Sequence, residues 1–577
     1  MSHHTCDLKV VLLCKGKGAD PNTFQPNRDE SQWFCRRDAL VRCITSFLFG
    51  PTQANSGSRE LIMVFDDDLS RVHMTRSDFD RGGTRVIVPT EQLCLTVLKR
   101  AARRPNTVVE SHDIGLKCIL CVDPTYITKE KESGNSVCKD LPLGLDSKRH
   151  VLEYLQKHCS LDFLRSNGLN SKPDVILRKT NREKLMSIWS SWLSHRMSQT
   201  PPDSSTDHQS GKIFADILHG KDNILPSVSN VKLIAGILHE SCEEFPCYGL
   251  DDQSNQANTL VYMFLGAVRD MSKKENEILQ DICKKQNIPL VQVRFGAVPE
   301  FTSKILSILS FHHSERKLGG SLLRLIGRLD AKPEHTFDNS KRRTWLHVVT
   351  TVPLDSKSIS TDLSKRDYVH WSLVRIIVCT LWRSKLVSSS VVLQHANSLH
   401  LLFNDGVLVS LQETDFVTRL AEQHRAAPSE FQILQALKDF IQENVLFLGD
   451  ISRKRTIQKV LERILEISDV PLMATITALD HESSKLLTER FYSSTAFSTF
   501  ENGVILFNPI ETTSKAENTR MIETILSVSR KKRMKATSFS QNSEDVAAGI
   551  ICIQHFCHQS RLFLPKTPTK KRKKSTS

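Results

Sequence analysis

The chain has 577 residues, 78 of them basic and 64 acidic, for a net charge of +14 and a sequence pI near 9.1. At about 150 residues per domain, that length is too great for one ordinary domain. Hydrophobic residues make up 39% and charged residues 25%, which excludes a fully disordered or fibrous chain.

The opening, MSHHTCDLKVVLLCKGKGAD, lacks the apolar core of a secretory signal. No apolar run is long enough for a membrane-spanning helix, so no membrane association is expected. LKVVLLC near Leu8 reads as a buried strand. Residues 37–49, RDALVRCITSFLF, carry apolar positions at helical spacing. ELIMVF before Asp66 is a second strand, and SRVHMTRSDF is an edge partner after it. TRVIV then leads into PTEQLCLTVLKRAARR, a helix with Pro89 before it and Thr90 as its N-cap. Strand-length apolar runs alternating with amphipathic stretches make this an α/β protein.

The texture changes over about residues 120–230. KCILCV holds a lone CxxC, Cys118 and Cys121, inside a strand-like run. The fifteen cysteines are otherwise scattered, read as reduced intracellular thiols, and no metal site is expected. KEKESGNS and MSQTPPDSSTDHQSG are loop or linker signals, with REKLMSIWSSWLSHRM between them as an amphipathic helix. This reads as a surface insertion with one packed helix. Regular α/β patterning resumes at VKLIAGIL and continues through NTLVYMFLGAV and NIPLVQVRFGAV to KILSILSFHH. The polar stretch DAKPEHTFDNSKRR marks a domain boundary, with a linker at 331–342.

The second half then repeats the first in order. TWLHVVTTVPLD takes the position of the opening strand, and WSLVRIIVCTLW parallels DALVRCITSFLF through the shared Leu-Val-Arg that ends at Arg375 and Arg42. GVLVSLQETDF parallels SRVHMTRSDF, and APSEFQILQALKDF parallels VPTEQLCLTVLKRA. The offsets of 333, 337 and 339 residues change only through loops. The chain is therefore read as a tandem duplication: unit one at 1–330 with its insertion, unit two at 343–560, and a basic tail at 561–577.

The ordered elements of the first unit resemble the SPOUT methyltransferases, and most closely the TrmY-type enzymes that methylate N1 of a tRNA pseudouridine. The resemblance is carried by Arg37-Asp38-Ala39-Leu40-Val41-Arg42-Cys43, by Pro89-Thr90-Glu91-Gln92-Leu93, by Leu265-Gly266-Ala267-Val268-Arg269-Asp270, and by Val293-Arg294-Phe295-Gly296-Ala297-Val298-Pro299 running into Ser303. It implies two Rossmann-like, trefoil-knotted α/β units packed as an intramolecular pseudo-dimer. It also implies S-adenosylmethionine on backbone near Leu265, Gly266, Phe295, Gly296 and Ser303, with Thr302 and Ser303 capping the knot helix. Asp38 and Arg42, one helical turn apart, are the candidate catalytic pair. Asp38 would accept the target proton or hold Arg42 toward a phosphate, and a surface or interdomain ion pair is the alternative.

The sequence departs from the family at Ala267-Val268, Ala297 and Lys304-Ile305. In the second unit Trp371 stands in place of Asp38, and Phe507-Asn508-Pro509 in place of Leu265-Gly266-Ala267. That unit is expected to bind no cofactor and to support the first. A non-catalytic SPOUT-derived RNA-binding or scaffold protein is the competing expectation.

Two basic clusters hold most of the charge excess. Arg530, Lys531, Lys532 and Arg533, with Lys535, form a loop expected to contact RNA, tRNA first, through phosphates. Lys570, Lys571, Arg572, Lys573 and Lys574 read as a nuclear localisation signal or a phosphate-binding tail, placing the protein in the nucleus and also in the cytoplasm.

Overall fold

A computed structural model describes residues 6–24, 37–51, 57–76, 89–122, 204–218, 232–244, 258–267, 271–295, 302–314, 346–362, 365–381, 397–412, 429–443, 473–478, 504–507, 536–540 and 546–559, with short pieces between them, chiefly within 152–188. The architecture is α/β with two large mixed sheets.

The first sheet begins with β1 (Cys6–Cys14), followed by α1 (Arg37–Leu48), β2 (Arg59–Phe65), β3 (Arg71–Arg76), α2 (Glu91–Arg103) and the hairpin β4 (Val108–Ser111) and β5 (Leu116–Cys121). Short α3 (Leu161–Ser166) and α4 (Ser204–Leu218) come next. Then follow β6 (Lys232–Glu244), β7 (Thr259–Gly266), α5 (Lys273–Lys285), β8 (Leu290–Arg294) and α6 (Thr302–Ser314). The strand order is β4-β5-β3-β2-β1-β7-β6-β8. Strands β2, β1, β7, β6 and β8 run parallel, and β3, β5 and β4 extend one side by antiparallel pairing.

The second sheet follows the same plan. Its elements are β9 (Leu346–Val352), α7 (Tyr368–Leu381), β10 (Asn397–Phe403), β11 (Val407–Gln412), α8 (Glu430–Glu443), β12 (Leu446–Phe447), β13 (Met473–Ala478), β14 (Val504–Phe507), β15 (Ala536–Ser540) and α9 (Val546–Gln559). The order β12-β11-β10-β9-β14-β13-β15, parallel from β10 to β15, reproduces the first sheet strand for strand apart from one hairpin strand. The helices expected at Arg42 and Arg375 are α1 and α7, and those expected after Val88 and Ala427 are α2 and α8. TRVIV lies outside the described residues.

Side chains alternate along β1 because successive residues of a strand face opposite ways. Leu8, Val10 and Leu12 enter a core with α1, α2 and α6, and Val11 and Leu13 enter another with α4 and α5. The first core continues without a break into Leu346, Val348, Leu373, Val374, Ile377 and Ile550 of the second half. The helix layer of α1, α6, α7 and α9 therefore lies within one shared core.

Two expectations need correction. SRVHMTRSDF is not an edge strand, because β5 pairs with β3 on its far side. The loop expected over MSQTPPDSSTDHQSG is helical from Ser204 onward. Its composition favours turns, but Phe214, Ile217 and Leu218 recur on one face and bury against the sheet, with Phe214 edge-on to Phe264. Packing of an apolar stripe outweighs weak helix propensity. The last part of the insertion is thus core.

Candidate active site at the carboxyl edge of the first sheet

In open α/β sheets ligands bind outside the carboxyl ends of the parallel strands. Here those ends are Cys14, Phe65, Glu244, Gly266 and Arg294. The loop after β1 is tied down by the hairpin after β2. Asp66 accepts from the Gly16 amide at 3.0 Å, and Asp68 accepts from Ala19 at 2.8 Å. Gly16 has φ +103°, a left-handed conformation that favours glycine. Burial, and then the neighbouring Asp66 and Asp68, raise the Asp67 carboxyl above its usual value. The second half repeats the tie, with Ser356 donating its amide and hydroxyl to Asp405.

Helix α6 starts at this edge. Thr302 donates its hydroxyl to the Gly266 carbonyl at 2.6 Å, so it anchors α6 to the end of β7 instead of capping the helix as expected. At the other end, His313 Nε2 lies 2.6 Å from the Cys6 carbonyl, at the start of β1. Burial and Arg59 push His313 down to about 3; it is therefore neutral near pH 7 and donates to Cys6 through Nε2–H. Helix α1 runs the same way, since the Phe47 carbonyl accepts from Arg59 at the start of β2 and from the Ser310 hydroxyl of α6. The start of α1, with Asp38, and the start of α6, with Thr302 and Ser303, therefore share the carboxyl edge.

Among the expected cofactor residues, the structure places Leu265, Gly266, Phe295 and Ser303. Leu265 and Phe295 are 2% and 3% exposed and point into the core, where Phe295 stacks on His312. Gly266 is half-buried and Ser303 buried in the first turn of α6. Gly296, Val268, Arg530, Lys531, Lys532, Arg533 and the Lys570–Lys574 tail lie outside the described residues.

Asp38 and Arg42 meet as expected for one helical turn, Arg42 Nη1 lying 2.8 Å from Asp38 Oδ2. Both are closed to solvent, Asp38 at 1% and Arg42 at 6% exposure. They sit at a joint between the two halves, so the ion-pair reading describes their present geometry. Beside them Glu91, at the start of α2, hydrogen-bonds Glu430, at the start of α8. Burial first, then Glu430 and Asp38, hold the Glu91 carboxyl well above its usual range, with Arg42 opposing. Arg366 lies 3.8 Å from Glu430. Arg375, matched to Arg42, reaches across to the hydroxyls of Thr45 and Ser46 on α1 and stacks on Trp371.

The carboxyl pair at Glu91 and Glu430 was not singled out from the sequence. The signal was present in the matched Pro-Thr-Glu and Pro-Ser-Glu openings of α2 and α8.

Among the described residues, Cys6, Cys43, Cys94, Cys118 and Cys283 stand as thiols outside any disulfide. Burial pushes the Cys43 thiol up to about 12 and raises Cys94 and Cys118 further, so none of these three is a thiolate nucleophile near neutral pH. Among the described residues, no helix is long and apolar enough to cross a membrane. No known protein family matches the chain, and none of the curated proteins does.

Proposed function

We propose that this chain is an S-adenosylmethionine-dependent RNA methyltransferase of the SPOUT type, acting on tRNA at N1 of a pseudouridine. Its first unit holds the cofactor and its second, degenerate unit completes a pseudo-dimer. The observation that carries the reading is the convergence at one sheet edge of the end of β7 and the starts of α1 and α6, tied by the Thr302–Gly266 bond. The repeated strand order supports the duplication on which the pseudo-dimer rests.

The residues fit the cofactor through backbone. Gly266 is half-buried at that edge, and, with no Cβ, it is the place where a ligand can approach main chain closely. Bound there, the cofactor supplies an electrophilic methyl group. The chain's own work is to bind and orient, since methylation at a ring nitrogen needs positioning and the removal of one proton. Asp38 is the group to take that proton, and Arg42 the group that sets its orientation.

The 1% exposure of Asp38 favours a second reading, a SPOUT-derived RNA-binding protein without catalysis. Calorimetric titration with S-adenosylmethionine separates the two. The enzyme reading expects binding by the wild type and none by Gly266→Arg. A wild-type protein that gives no heat overturns it.

A further inference from the structure

The exposed side of α2 turns basic over its last turn and its C-cap. Arg100, Arg103 and Arg104 are exposed and Lys99 half-buried, while Cys94, Leu95, Leu98, Ala101 and Ala102 face the core. None of the four cations makes an ion pair among the described residues. The hairpin of β4 and β5 packs alongside α2. It adds Lys117, Glu110 and Asp113, with Lys117 held 3.9 Å from Glu110, and leaves Val108 53% exposed. The patch keeps a clear positive excess.

Basic residues at a helix C-terminus are often explained by the helix dipole. The duplication supplies an internal control. In α8 the same four positions are Lys438, Asp439, Gln442 and Glu443, so the matched helix ends with a slight negative charge. The core positions do correspond: Cys94, Leu95 and Leu98 match Ile433, Leu434 and Leu437, all buried. The two copies share the inner face of this helix and differ in the charge of its outer face. A dipole or packing requirement would act on both.

We propose that Lys99, Arg100, Arg103 and Arg104 form an RNA phosphate-backbone contact surface belonging to the first unit alone. This rests on the RNA methyltransferase reading and names the surface that would hold the RNA. At 1.5 Å per residue, these side chains begin about 12–20 Å along α2 from Glu91, which lies beside Asp38. One RNA stem can span that distance. Three of the four cations are arginines, whose planar guanidinium pairs with phosphate oxygens in a fork. Such contacts position the RNA without reading its sequence.

The test uses the full chain and a fluorescein-labelled RNA stem-loop, with binding measured by anisotropy over a salt series. Each phosphate contact contributes about 0.7–0.9 to the slope of log K against log salt, so four contacts contribute about 3. The variant Lys99→Gln, Arg100→Gln, Arg103→Gln, Arg104→Gln is expected to lose about that much slope and at least about tenfold affinity at low salt. Arg100→Lys, Arg103→Lys, Arg104→Lys keeps the charge and most of the slope, and Lys438→Gln leaves it unchanged. An unchanged slope in the four-glutamine variant overturns the proposal, as does wild-type preference for polyglutamate over RNA. S-adenosylmethionine titrated into the same proteins keeps the failures apart. Normal cofactor binding with an unchanged slope sinks only this surface. Absent cofactor binding with a reduced slope sinks only the enzyme reading.

Discussion

Glu60→Gln is the sharpest stability test, because a buried charge row crosses the first sheet. Glu60 on β2 is fully buried, with one carboxylate oxygen 2.9 Å from the Lys9 ammonium of β1 and the other 2.7 Å from His73 Nδ1 of β3. Lys9 is 3% exposed and also sits over the Tyr262 ring of β7. The amide keeps the shape and removes the charge, taking the Glu60 carboxylate away from a buried ammonium. Breaking one side of a buried pair costs about 3–5 kcal/mol. At about 2–4 °C per kcal/mol for a unit of this size, the transition containing the first sheet should fall by roughly 6–20 °C in calorimetry. Replacing the pair together, Lys9→Met with Glu60→Leu, should recover most of that loss, since apolar substitution of a buried ion pair is often neutral or better. The pH profile gives a second readout. Burial alone raises the Glu60 carboxyl, but His73 and Lys9 outweigh it and hold it below the usual value. A depressed carboxyl contributes stability above its unfolded pKa, about 4.3, and loses it as pH falls through the folded value. Wild type should therefore weaken more steeply than Glu60→Gln in strong acid. A single variant within about 1 kcal/mol of wild type would refute the reasoning, because it would mean the charge of Glu60 is not what holds Lys9.

Glu91→Gln should act in the opposite sense. The Glu91 carboxyl is raised, so its favourable contribution is complete below about pH 4.3 and declines by about 1.4 kcal/mol per pH unit until its folded value is passed. The amide variant should lack that decline in urea titrations across pH. Arg375→Ala removes both bonds to Thr45 and Ser46 and should cost about 2–4 kcal/mol in urea unfolding, with the hydroxyls left buried. Gly57→Ala meets two obstacles at once, a φ of +104° and the Cys6 carbonyl where the methyl would go. A loss of about 1–3 kcal/mol, read from its melting curve, is expected.

The parts of the fold legible in the sequence are those set by local periodicity and by repetition. The strand at Leu8, the helices at Arg42 and Arg375, and the matched helices after Pro89 and Pro428 follow from apolar spacing and turn residues. Helix α4 was hidden because Ser204–Gly211 has the composition of a loop, and only the sheet beneath Phe214 makes it a helix. The strand NSLHLLF was not singled out in the sequence; its His400 is buried against His347, and burial holds both imidazoles neutral, at about 3 and about 4. The candidate pair Asp38 and Arg42 was legible as a one-turn spacing. Its closure to solvent was not, since that depends on helices more than 300 residues away.

The two halves agree at some matched positions and differ at others. Where the halves touch, some matched positions carry the same residue, Arg42 and Arg375 or Glu91 and Glu430, and others do not, Thr45 and Ser46 standing against Val378 and Cys379. Asp38, at the joint itself, stands against Trp371, and in sequence the copies also part at Gly266 against Asn508 and at Arg100, Arg103 and Arg104 against Asp439, Gln442 and Glu443. On the proposed reading, ligand and RNA surfaces are needed in one copy only. Tethering raises the effective concentration of the partner unit, so the second copy can lose those surfaces while the joint still forms. On the proposed reading, a chain with Glu430→Leu, which leaves Glu91 without its partner, should lose cofactor affinity in the first unit although residue 430 touches no ligand. Unchanged cofactor binding in a folded Glu430→Leu protein would show that the second unit does not support the first.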